Sequence, residues 1–331
     1  MFSAFPITDP TLIFFIVMLI ILFAPIVMGK LRIPHIIGMV LAGVAVGEYG
    51  FNILERDDSF ELFGRVGLYY IMFLAALEMD SGALKRNKYR FMIFGLTTFA
   101  VPFVLIYLLG TTFLNYTTAA SLLLATLMAS NTLIAYPIVG RYGLQRNPAV
   151  SLSVGSTMIA LFLSLVVLAM IVAAHNEDGG SLFWLWFVLK VVGFCGGMAF
   201  FVPRLTRWFL RRYSDAVMQF IFVMAILFLS ASVSSSIGLE GIFGAFLAGL
   251  ILNRYVPRLS PLMNRIEFIG NAIFIPYFLI GVGMLINLRL LFQGKGIVWV
   301  VLGITLVGTL GKAIAAYLAS WRFKMPAPSG Q

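Results

Sequence analysis

Apolar runs follow one another along this chain with only short polar breaks between them, and each approaches the roughly 20 residues that a helix needs to cross about 30 Å of hydrocarbon. Eleven such runs stand out, at residues 12–28, 34–47, 62–77, 91–114, 117–139, 149–173, 182–203, 216–237, 239–252, 266–288 and 297–321. The second, third and ninth are short for a full crossing. No break between runs is long enough to fold as a soluble domain. The pattern predicts an all-α fold, a polytopic membrane protein of about eleven transmembrane helices. It forms one membrane domain over 1–324, with 325–331 as a tail or cut end.

Composition agrees with this and removes other classes. Hydrophobic residues make up 61% of the 331 and charged residues only 11%, about half the charged share of a soluble domain. Mean hydropathy is +1.01. The single cysteine, Cys195, leaves no disulfide framework and no cysteine metal site, and His35 and His175 are too far apart for a metal-binding pattern. No metal or cofactor is expected. Intramembrane catalysis would want a His, Asp or Ser–Lys constellation inside the bilayer, and the chain is not expected to be an enzyme. The first run is longer than a signal-peptide core and has no basic flank before it, so it is expected to be kept as a helix.

The net charge of +10 would suggest nucleic acid in a soluble protein. Its placement points elsewhere. Of the 23 lysines and arginines, seventeen fall in alternate breaks, around positions 30, 88, 144, 208, 258 and 323. Four (Arg56, Arg65, Arg289 and Lys295) fall in the other set, and Lys190 and Lys312 lie inside runs. Basic residues belong on the cytoplasmic side. The amino terminus is therefore expected outside and the carboxyl terminus in the cytoplasm, in a multi-pass protein of a bacterial cell inner membrane with no nucleic-acid partner.

Within such runs the informative residues are polar groups and helix breakers. The fifth run contains Ser130, Asn131 and Thr132, then Pro137. Proline removes a backbone hydrogen bond, so this stretch is either a broken helix lining an ion cavity or a kinked helix whose hydroxyls bond their own carbonyls. The sixth run carries Gly155, Ser156 and Thr157, a spacing that also serves close helix packing. In the eleventh run Lys312 either faces a partner or a wet cavity, or extends its stem to the interface. Lys190 has the same two options. Recurrent glycines (Gly43 and Gly47, Gly241 and Gly244, Gly303, Gly308 and Gly311) are expected to mark helix contacts.

Several of these segments, in order, resemble the cation:proton antiporter-2 family, which includes sodium/proton antiporters and Kef-type potassium efflux proteins. They are Arg32-Ile33-Pro34-His35 with Gly43 and Gly47; Ala76-Leu77-Glu78-Met79-Asp80; Gly244 to Leu250; Gly270-Asn271-Ala272 with Pro276 and Gly281-Val282-Gly283-Met284; and Gly311-Lys312. The resemblance implies an inverted-repeat antiporter fold with a broken fifth helix, here incomplete because two further family helices would follow the lysine helix. It implies a dimerisation part at 1–80 and 214–291, a mobile core at 91–173 and 294–321, a linker helix at 182–203, and a homodimer. It implies that Ser130, Asn131, Thr132, Thr157, Lys312 and position 161 lie on the ion pathway, with the helix break at Pro137. The family places an ion-binding aspartate at position 161, where this chain has Leu161. No Asp or Glu occurs in runs four to six. The expected function is secondary transport exchanging Na⁺ or K⁺ for protons by alternating access. The alternative is a transport-inactive homologue acting as sensor, scaffold or partner subunit.

Overall fold

The computed structural model describes residues 6–31, 33–78, 88–130, 143, 148–175, 181–257, 259–292 and 296–323. Eleven apolar helices are found among them. Helix α1 is Pro10–Lys30, α2 His35–Val46, α3 Asp58–Glu78, α4 Lys88–Leu108 and α5 Thr118–Ala129. Helix α6 is Pro148–His175, α7 Ser181–Arg212, α8 Ala216–Ser236 and α9 Gly241–Leu252. Helix α10 spans Pro261–Met284 and α11 spans Ile297–Phe323. Seven of the eleven are long and apolar enough to cross a membrane; α2, α5 and α9 are shorter, and the apolar stretch of α6 is Gly155–Leu168. The described residues contain no strand; one bridge pairs Ile7 with Leu54 and ties the segment before α1 to the loop before α3.

Where the boundaries differ from the apolar runs, local bonding accounts for it. Helix α3 is 21 residues long, a full crossing, because its first turns are polar yet self-satisfied: Arg65 pairs with Glu61 one turn earlier. Arg65 is therefore a helical residue and not a loop residue. Helix α7 does not stop near Pro203 but runs on to Arg212, 32 residues in all. The guanidinium of Arg204 donates to Phe200 O and that of Arg207 to Pro203 O, so the basic residues expected in a loop close the helix on themselves. Helix α10 starts five residues early and contains a π-turn at Gly270–Phe274. There the Ile275 N–H reaches back five residues to Gly270 O, which lets the helix pass the missing N–H of Pro276.

Two groups of helices emerge. Helices α1, α2, α3, α8, α9 and α10 pack on one another, with α7 against α8 and α9. Helices α4, α5, α6 and α11 form the second group, with α4 touching the other three. The principal contact between the groups is α6 against α9, where Phe162 meets Phe243.

Glycine sets the close crossings in the first group. A Cβ on Gly43 would lie 2.1 Å from Ile280 O, and one on Gly283 would lie 2.1 Å from Val40 O. The backbones of α2 and α10 thus touch with no side chain between them. Tyr70 O–H donates to Ile266 O at 2.9 Å, joining α3 to α10. Gly303 differs from the expectation: nothing lies within 4 Å of a Cβ built there, so it is not a packing position among the described residues. Gly43→Ala and Gly283→Ala are each expected to destabilise the protein by about 1–3 kcal/mol, since the Cβ meets backbone that cannot move aside. Thermal unfolding of the purified variants in detergent measures this, with Gly303→Ala near wild type.

Candidate ion-binding site

The second group of helices carries the polar residues. Helix α5 begins with a hydroxyl cap, Thr117 accepting from the Ala120 N–H. It ends at Ala129. Ser130 already has extended backbone (φ −59°, ψ 136°), and its N–H still bonds to Thr126 O. The described helix therefore ends at Ala129, with extended backbone at Ser130. Three small or hydroxyl residues at its end, Thr126, Ala129 and Ser130, offer little side chain to continue the packing. Asn131, Thr132 and Pro137 lie outside the described residues.

Helix α6 crosses beside this end. Thr157 is buried, and its hydroxyl donates to Ser153 O at 2.9 Å. Ser156 donates to Leu152 O and, at 3.1 Å, to Ser153 O. Both hydroxyls are thus spent within their own helix, as the packing alternative expects. Ser164 differs: its hydroxyl donates across to Thr126 O of α5 at 3.1 Å. Thr157, Leu161 and Ser164 stand at i, i+4 and i+7, one face of α6, and Ser164 shows that this face meets the last turn of α5. Sequence reasoning misses Ser164, although its spacing from Thr157 is a signal that could find it.

Position 161 sits at the seam between the two groups. Ala160 packs with Phe99 and Ala129 in a small apolar cluster of the second group. Leu161, the next residue, belongs to the large cluster of the first group and is only 5% exposed. No carboxylate occurs on the described residues of α4, α5 or α6. Glu78 ends α3 and Glu240 precedes α9 from an exposed position; both helices belong to the first group.

Lys312 is partly buried on α11. Its neighbour Gly311 lies against Pro102 of α4, and Gly308, one turn away, against Met128 of α5. Lys312 has no ion-pair partner among the described residues. Lys190, in contrast, is exposed on α7.

The family model described as sodium/hydrogen exchanger, transmembrane, matches residues 18–329. The chain is 35% identical over 328 residues to the Na⁺/H⁺ antiporter NhaS5 of Synechocystis, covering 97% of this chain and 46% of that protein. It is 29% identical over 315 residues to the probable Na⁺/H⁺ antiporter 3 of Methanocaldococcus jannaschii, covering 93% and 79%. It thus spans about half the length of the first of these relatives. Among solved structures, the sodium proton antiporter MjNhaP1 of Methanocaldococcus jannaschii superposes with a TM-score of 0.70 at 19% identity, over 96% of this chain and 79% of that one. This likeness shows that the two share a fold.

Proposed function

Because this chain belongs to the sodium/hydrogen exchanger family, we propose that it is a membrane antiporter exchanging a monovalent cation, Na⁺ or K⁺, for protons by alternating access. What carries the reading is the family match over nearly the whole chain, together with the end of α5 at Ala129 beside a hydroxyl-bearing face of α6. The second group of helices (the core, 91–173 and 294–321) moves against a dimerisation part (1–80 and 214–291), with α7 as linker. The separation of the apolar clusters supports that division. Ser130, Asn131, Thr132, Thr157 and Lys312 line the pathway, and Pro137 holds the segment after the break. The protein is a homodimer in a bacterial inner membrane, its amino terminus outside, as the distribution of basic residues supports.

One observation favours a second reading, a homologue that does not transport. Position 161 is leucine, packed in an apolar cluster, and the described residues of α4, α5 and α6 carry no carboxylate. A hydrocarbon side chain neither takes up a proton nor offsets the charge of a cation in a low-dielectric seam. The deciding measurement is proton flux in liposomes holding the purified chain and a pH-sensitive dye. Addition of Na⁺ or K⁺ is expected to evoke proton efflux under the first reading. A trace indistinguishable from empty liposomes establishes the second.

A further inference from the structure

Helix α10 carries a carboxylate that none of this uses. Glu267 is partly buried in its second turn and has neither a hydrogen-bond nor an ionic partner among the described residues. It is unlike the other carboxylates there. Asp9, Asp57 and Asp215 cap helices, Glu61 pairs with Arg65, and Glu78 has polar partners. Glu48, Glu55, Asp58 and Glu240 are exposed. Arg265, two residues before Glu267, is exposed on the opposite side of the helix.

Glu267 lines, with Asn264, Phe268, Asn271 and Ala272 of the same helix, a shallow open groove of about 510 Å³ along α10. Asn264 and Asn271 precede and follow it by three and four residues, so both amides stand on the carboxylate's side of the helix. Asn271 lies inside the π-turn Gly270–Phe274, the kind of local widening that often accompanies a functional site. A membrane helix that holds an unpaired, half-buried carboxylate is stabilised by a proton or by a counter-charge. Nothing in the described protein provides one, and the groove leaves room for one from solution.

We propose that Glu267, with the amide oxygens of Asn264 and Asn271, binds a monovalent metal cation. An all-oxygen donor set selects hard cations. One carboxylate with neutral amides balances a single positive charge, whereas a divalent ion would leave a net charge in a membrane helix. The site lies in the first group of helices, away from position 161, and its occupancy does not depend on whether the chain exchanges protons.

The test is equilibrium binding of ²²Na⁺ to the full chain in detergent micelles, with KCl and choline chloride as competitors. Wild type is expected to bind ²²Na⁺ saturably, displaced by K⁺ and not by choline. Glu267→Gln is expected to weaken binding about tenfold or more through loss of the charged ligand, while Asn271→Ala, at an exposed position, weakens it less and guards against a folding defect in the first variant. Equal binding by wild type and Glu267→Gln overturns the proposal, as does absence of saturable binding in wild type. Loss of binding in Thr157→Val but not in Glu267→Gln overturns it too, by moving the cation to α6. Proton exchange is read separately by liposome flux, so the two failures are distinct.

Discussion

Leu161→Asp is expected to raise cation-evoked proton flux in liposomes by at least about tenfold over the wild-type chain. The magnitude follows from charge compensation at the seam. A core that carries a bare cation past apolar helices moves an uncompensated charge, worth about 2.5–3.5 kcal/mol at the centre of a membrane helix on insertion scales. At about 1.4 kcal/mol per factor of ten, that slows the loaded step roughly a hundredfold. A carboxylate at 161 removes this cost, because the site is then neutral both with a cation and with a proton bound, and the two compete for one group. Aspartate has the same branching at Cγ as leucine, so it enters the packed position without overfilling it. Leu161→Asn has that shape and no titration, and is expected to leave flux at the wild-type level. If the Asp and Asn variants behave alike, position 161 is not where charge is exchanged, and the alignment of α6 with the antiporters is wrong in register.

The number and order of spans are legible in the sequence because lipid imposes a length and an apolar composition on every crossing helix. Eleven are expected and eleven helices are found among the described residues. Their ends are less legible, for reasons specific to each. Hydropathy alone excludes Asp58 and Glu61 as too polar, but an i, i+4 ion pair with Arg65 lets α3 begin among them. It stops α7 near a proline, though a single proline removes one hydrogen bond and the arginines beyond it bond back to the helix. The π-turn in α10 has no hydropathy signature. Its one trace in the sequence is Pro276, which has no N–H to offer Ala272 O one regular turn back.

The candidate site is legible in parts. The motif on α6 leads to Thr157 and to position 161, whose leucine packs into the apolar cluster of the first group. Ser164 escapes because its only signal is the seven-residue spacing from Thr157, and its role appears when the carbonyl of Thr126 is placed opposite it. Pro137 lies outside the described residues, and the end of α5 at Ala129, with extended backbone at Ser130, has no helix breaker of its own to announce it in the sequence. Glu267 stands at the edge of the tenth apolar run, two residues after Arg265, and its partial burial on the side of α10 away from that arginine shows only in the structure.

Lys312→Met is expected to stabilise the wild-type chain by about 1 kcal/mol and to destabilise the Leu161→Asp variant by about 3 kcal/mol or more. The reversal of sign is the point of the experiment. In wild type Lys312 is a partly buried cation with no ionic partner among the described residues, so an apolar side chain of similar length relieves a desolvation cost that snorkelling only partly removes. With aspartate at 161, the same lysine becomes the counter-ion, and removing it strands a buried carboxylate. Both helices pack on α4. Gly95 of α4 lies against Ile159 and Ser156 of α6, and Pro102 of α4 lies against Gly311 of α11. Thermal unfolding of the four proteins of this double-mutant cycle, in one detergent, gives the coupling directly. Additive effects would mean that Lys312 extends to the interface and never meets position 161, and the charge pair would then have no part in how this core is held.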